Sequence, residues 1–177
     1  MAAPENREAV SATEADWSRE RWYGDWSASR LLLRSIRRYQ RYAARRGPLA
    51  WMGRKKSVLW HRLWSIVCAA EIPINTRLGG GLMLPHPNGI VIHHKAVIGP
   101  NCLLFQQVTV GVGGPVPGAP TVGGHVDIGA GAKVLGGVRL GDHCKIGANA
   151  VVIADVPAGA TAVGVPARVI LRPATQQ

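Results

Sequence analysis

Phenylalanine is almost missing. The chain of 177 residues holds one, so its core cannot be built from stacked benzyl rings. A narrow interior filled by branched aliphatics is the natural alternative. Cysteine is scarce too. Cys68, Cys102 and Cys144 lack metal-site spacing and read as reduced packing residues of a cytoplasmic protein rather than as a disulfide framework. Long apolar runs are absent. No stretch approaches the about 18–20 apolar residues of a membrane span, and Met1 to Ala15 is polar and acidic, without the apolar segment of a signal peptide. Acidic residues vanish from one block: between Trp26 and Ala70 stand eleven Lys and Arg and no Asp or Glu.

That block skews the net charge of +11. Residues 1–70 carry 14 basic and 6 acidic side chains, or +8, and residues 71–177 carry 7 and 4, or +3. A run of one sign points to an anionic partner such as a membrane surface or a phosphate-bearing substrate. A solvated helix face explains it equally well, and nucleic acid is not expected.

What the chain has in plenty is glycine, 22 residues, and the glycines are periodic. From Val122 to Pro157 the sequence divides into six units of six, opened by Val122, Ile128, Val134, Leu140, Ile146 and Val152. Gly follows the aliphatic in four of the six, and a small residue, Val or Cys144 stands four places after it. A period of six is neither the 3.6 of a helix nor the 2 of an ordinary strand. It predicts a β-helix of hexapeptide repeats, three units to a coil. The aliphatics stack from coil to coil, and no single repeat can bury its face alone.

The period extends upstream through Ile72, Leu78, Leu84 and Ile90. A step of eight leads to Ile98, followed by Leu104 and Val110. Gly113 to Pro120 cannot pair as strand and should protrude as a loop. Val122 re-enters in register. The expected organisation is a basic helical region over 1–70 with its first ~15 residues disordered, a β-helix over 71–170 carrying the protruding loop 113–120, and a tail over 171–177. Within 1–70, Ser27 is the expected N-cap of a helix running to about Arg46. A second helix from about Leu49 to Cys68 carries a stripe of Trp51, Leu59, Trp60, Leu63, Trp64 and Val67. This stripe is expected to pack over the end of the β-helix; a lipid-facing surface is the sharper alternative.

Few polar residues can carry chemistry. His86 stands between Pro85 and Pro87, which hold its backbone nearly fixed. A rigidly presented imidazole suits a general base. Glu71 lies fifteen residues earlier, almost one coil back, where a carboxylate could orient the ring. His93 and His94 are expected at the surface of an irregular corner. His125 and His143 are eighteen apart and should stack, without a third ligand for a metal.

With these residues in view, Ile98 to Arg168 resembles the serine O-acetyltransferase branch of the hexapeptide-repeat, left-handed β-helix acyltransferases. The specific motifs are Ile128-Gly-Ala-Gly-Ala-Lys133, Lys145-Ile-Gly-Ala-Asn-Ala150 and Val163-Gly-Val-Pro-Ala-Arg168. The resemblance implies a mainly β, left-handed parallel β-helix. It implies a homotrimer, alone or as a dimer of trimers, with acetyl-CoA as cosubstrate and no metal. By the family pattern His86 is the general base and Glu71 its acidic partner. Gly111, Ala130 and Ala148 would border the pantetheine arm, and Lys145 and Arg168 would approach the phosphates. Two positions depart from the pattern. The family's Asp before the catalytic His is Pro85, and the Arg-His pair ending its active-site loop is Gly118-Ala119. Those side chains recognise the charged ends of serine, and burying a zwitterion without counter-charges is costly. The expected acceptor is therefore a hydroxyl of a sugar or glycan, with serine as the alternative. Two further classes share the prism: a metalloenzyme like the gamma-class carbonic anhydrases, through His86, His125 and His143, and a non-catalytic scaffold. The expected location is cytoplasmic, at most peripheral to the membrane's inner face.

Overall fold

The computed structural model describes residues 10–21 and 27–170. A 3-10 turn, Trp17–Glu20, precedes two α-helices, α1 (Ala28–Ala43) and α2 (Pro48–Cys68). Thirteen short strands follow: β1 (Arg77–Leu78), β2 (Val91–Ile92), β3 (Val97–Ile98), β4 (Leu103–Leu104), β5 (Thr109–Gly111), β6 (Thr121–Val122), β7 (Asp127–Ile128), β8 (Lys133–Leu135), β9 (Arg139–Leu140), β10 (Lys145–Ile146), β11 (Val151–Val152), β12 (Thr161–Val163) and β13 (Arg168–Ile170). The tail 171–177 and the first nine residues lie outside the described part.

The strands fall into three sheets. One face is β1-β3-β6-β9, the second β4-β7-β10-β12-β13 and the third β2-β5-β8-β11. All ladders are parallel except β12 with β13. The result is a left-handed parallel β-helix with a triangular section. Ile72, Ile92, Ile98, Leu104, Val110, Ile128 and Val134 are among the fully buried aliphatics that run through its centre. At about 25 cal/mol per Å² of apolar surface removed from water, this column is the main stabilising term. The exit strand was not anticipated. The chain folds back after Gly164, so that β13 pairs antiparallel with β12.

The eight-residue step lies elsewhere than the sequence suggested. Met83 pairs with Leu103, an offset of 20, whereas Val91 pairs with Thr109, an offset of 18. The two extra residues therefore fall between Leu84 and Ile92, in the corner that carries His86. Ile90 fills the second inward slot of its unit, as Val108 does one coil later; both are fully buried. Sequence spacing alone cannot separate two inward aliphatics only two positions apart.

The helical hairpin caps the first coil, but not with the expected face. Leu32, Leu33 and Ile36 of α1 join the core, while α2 buries Ala50, Ser57 and Cys68. Of the expected stripe, Trp64 packs partly buried against the core, while Trp51, Leu59, Trp60, Leu63 and Val67 are exposed. Small residues win the buried side because the helices approach closely: a Cβ on Gly53 would lie 2.6 Å from the Tyr42 ring. Arg37 ties the cap down. Its guanidinium donates to both carboxylate oxygens of Glu20, at 3.0 and 2.8 Å, and to the carbonyls of Leu78 and Gly79 at 2.7 and 2.6 Å.

Residues 10–15 belong to the stretch expected to be disordered, and Asn101 explains why they are held. It is fully buried with φ 59°, a left-handed backbone that Asn tolerates better than most residues. Its Nδ2 donates to the carbonyls of Ser11 and Glu14, both at 2.7 Å, and its Oδ1 accepts from the Asp16 N–H at 2.8 Å. Replacing Asn101 with Ala removes all three bonds. The expected result is a loss of about 1–3 kcal/mol and faster hydrogen exchange in residues 10–16, with the prism amides unchanged.

Candidate active site

The His86 corner is a bulge held through its backbone. The Gly89 N–H donates to the Ala69 carbonyl at 2.8 Å, and the Gln107 N–H donates to the Asn88 carbonyl at 2.8 Å. Both bonds hold the one Asn88–Gly89 peptide group, and beside it Pro85, His86 and Asn88 are exposed. The imidazole projects from a corner two residues longer than its neighbours and has no hydrogen-bond partner among the described residues.

Glu71 makes no hydrogen bond or ion pair to it among the described residues. The expectation assumed a coil near eighteen residues, but the first coil has twenty, so Glu71 bridges Val91 and not His86. Glu71 instead lines an open cavity of about 620 Å³ between α2 and the first coil, shared with His61, Arg62, Ile66 and Val91. No hydrogen bond or ion pair engages its carboxylate among the described residues. The other acids of the β-helix are in use or interacting: Asp142 accepts from the Gly124 N–H, Asp155 accepts from the Arg139 N–H, and Asp127 also has an electrostatic or bonding partner.

The positions expected to border a cosubstrate fall into two groups. Ala130 and Ala148 are stacked one coil apart at the corner leading into the third face, where the Asn149 N–H donates to the Ala130 carbonyl at 2.8 Å. Gly111 sits at the far end of that face, opposite Leu135, and a Cβ there would touch only the Thr109 methyl, at 3.7 Å. The surface over it is open. Lys145 and Arg168 share the second sheet, on β10 and β13, with β12 between them.

The Gly/Pro loop stands out as expected, with residues 112–118 exposed. It has a seat that sequence reasoning missed. The Gly137 N–H donates to the Val116 carbonyl at 3.0 Å, and a Cβ on Gly137 would lie 2.4 Å from the Pro117 carbonyl oxygen. The signal was visible: Val134-Leu-Gly-Gly sets its glycine pair one place later than Val122-Gly-Gly does, whereas the units opened by Ile128, Leu140 and Ile146 have a single glycine directly after the aliphatic.

The remaining histidines are structural. His93 accepts the Lys95 N–H at 3.2 Å and lies against His94, with ring centroids 4.2 Å apart. His125 and His143 stack as expected, Nδ1 to Nδ1 at 2.9 Å, so one ring donates and the other accepts. Among the described residues no group of three or more His, Cys, Asp or Glu side chains converges. The thiols are free and buried, and desolvation pushes Cys68 up to about 11 and Cys102 and Cys144 up to about 12, away from reactive thiolate chemistry.

Burial lowers the His125 pKa, with Asp127 opposing, and burial also lowers that of His61, which bonds the Ile72 carbonyl at 2.8 Å. Both folded rings therefore protonate below the ordinary value of 6.5. The unfolded chain binds more protons as pH falls through that value, so stability is full above 6.5 and declines below it. Urea midpoints are expected to fall with acidification below about 6.5. The decline should be shallower in a His61→Gln/His125→Gln variant.

Residues 119–154 match the bacterial transferase hexapeptide (six repeats) family. The chain is 41% identical over 128 residues to a serine acetyltransferase of Synechococcus elongatus, covering 69% of this chain and 52% of that protein. Among solved structures, soybean serine acetyltransferase complexed with serine superposes with a TM-score of 0.68 at 34% identity, over 82% of this chain and 58% of that one. A serine acetyltransferase in complex with CoA gives 0.67 at 32%, with the same coverage. The chain spans about half the length of the curated relative.

Proposed function

We propose, from the premise that this is a serine acetyltransferase-like hexapeptide-repeat chain, that it transfers the acetyl group of acetyl-CoA to an acceptor hydroxyl, serine's before others. The observation that supports the reading best is the His86 corner: a proline-flanked, two-residue bulge on a rigid prism that presents an imidazole without a hydrogen-bond partner among the described residues. The imidazole takes the hydroxyl proton as the oxygen attacks the thioester carbon. The carbon–sulfur bond then breaks, and the departing CoA thiolate recovers the proton from the imidazolium. Backbone N–H groups near loop 113–120 stabilise the oxyanion.

Glu71 is the orienting carboxylate in this reading. It is free to serve, and it engages the ring across a subunit boundary or on closure around substrate. Gly111, Ala130 and Ala148 let the pantetheine arm lie close to the backbone, and Lys145 and Arg168 face the phosphates. The working unit is a homotrimer.

The comparisons reverse the order of acceptors expected from the sequence, since the relatives reported above are serine acetyltransferases. A sugar hydroxyl stays as the second reading on one observation: Pro85 and Gly118-Ala119 supply no charge for a zwitterion's ends. The test is release of free thiol from acetyl-CoA over a panel of serine, sugars and nucleotide sugars. Serine is expected to give the fastest release. Turnover with a sugar alone would move the assignment to the second reading, and failure to bind CoA would overturn both.

A further inference from the structure

The helical hairpin carries a surface that neither the prism nor the transfer chemistry uses. Arg34, Arg38 and Arg41 recur at steps of four and three on one face of α1, and Arg45 follows four residues later, just past its end. With Tyr42 they line a cavity of about 360 Å³. Arg38, Arg41 and Arg45 have no ion-pair partner among the described residues. Arg34 and Arg38 also line the adjoining cleft between the helices, of about 280 Å³, together with Leu31, Ser57, Trp60 and Trp64. Trp60 in turn opens onto the outward stripe of α2. There Leu59 is 70% exposed, alongside Leu63 and Val67, and exposed Lys55 and Lys56 lie on the same helix, whereas Arg62 and Ile66 line the cavity beside Glu71. An arginine-lined cavity thus passes through a tryptophan cleft into an apolar stripe.

We infer that this face of the hairpin docks on an anionic phospholipid surface, with a headgroup phosphate in the arginine cavity and the α2 stripe seated among the acyl chains. Three guanidinium groups around one hollow, without an ion-pair partner among the described residues, match a phosphate in charge and in hydrogen-bond chemistry. Exposed large aliphatics beside them, with basic flanks, form the amphipathic surface that lies in a bilayer interface. Tryptophan suits the boundary, where one side is apolar and the other wet. Charge also argues against a second copy packing face to face. Residues 26–70 hold eleven basic residues and no acid, so two such faces would meet with like charge and nothing to offset it. No helix of the described residues is long and apolar enough to cross a membrane, so the contact is peripheral.

Flotation of the full-length protein tests this. The vesicles are phosphatidylcholine alone and three-to-one phosphatidylcholine–phosphatidylglycerol. Capture is expected on the anionic vesicles only and should weaken as salt rises. An Arg38→Glu/Arg41→Glu/Arg45→Glu variant is expected to lose capture by about tenfold or more. A Leu59→Ser/Leu63→Ser variant should lose it similarly. Both should keep the wild-type unfolding midpoint, because the replaced side chains are outside the core. Equal capture of wild type and variants, equal capture by neutral vesicles, or no capture at all would overturn the inference. So would a Leu59→Ser/Leu63→Ser variant that changes mass by light scattering while vesicle capture stays the same, which would assign the face to a second copy. Retention of inorganic phosphate without vesicle binding would make the cavity a site for a soluble anion and overturn it too. None of these readouts depends on acetyl transfer, so failure here leaves the proposed activity standing, and the reverse.

Discussion

An enzyme with His86 replaced by alanine is expected to lose acetyl transfer by about a hundred- to ten-thousand-fold in kcat/KM, the usual share of a general base. It should still fold and bind CoA. The reasons are local. His86 is exposed in a corner pinned by Gly89 and Gln107 through backbone bonds that the side chain does not touch. Its removal opens no cavity and strands no buried polar group. The loss should therefore fall on kcat, with the unfolding midpoint and CoA affinity unchanged. Thiol release measured at saturating acetyl-CoA, beside a CoA-binding titration, separates these quantities. Turnover by the variant within a few-fold of wild type would remove His86 from the mechanism. A Glu71→Gln variant refines the test. If that carboxylate orients the ring, the acidic limb of the pH–rate profile should move, which a merely structural residue would not cause.

The second large effect is on stability. Ile128 is fully buried on β7, paired to Leu104 on one side and to Ile146 on the other. Ile128→Ala removes an aliphatic from the middle of the stacked column, and the rigid coils above and below cannot collapse into the space. A loss of about 2–5 kcal/mol is expected from lost burial plus the residual cavity. Ile170→Ala, at a side chain 55% exposed on β13, should cost within about 0.5 kcal/mol. Urea denaturation of the two variants decides this. Equal costs would mean that the aliphatic column is not what holds the prism together.

The repeats were legible because their cause is local. An aliphatic every six residues, with glycine beside it, can be satisfied only by short strands turning corners around a narrow core. The sequence alone therefore set the prism, its three-unit coils, the protruding loop, the stacking of His125 on His143 and the buried state of the three thiols. Other features required distances between residues far apart in the chain. The placement of the long corner turned on which of two inward aliphatics, Ile90 or Ile92, continued the series, and the ladder from Val91 to Thr109 settled it. That placement pairs the backbone of Glu71 with Val91. The capture of residues 10–16 by Asn101, the seat of the loop on Gly137 and the outward turn of the α2 stripe depended on close approach between segments. Such contacts are decided by which surfaces fit once the coils are stacked, and no local pattern records that fit.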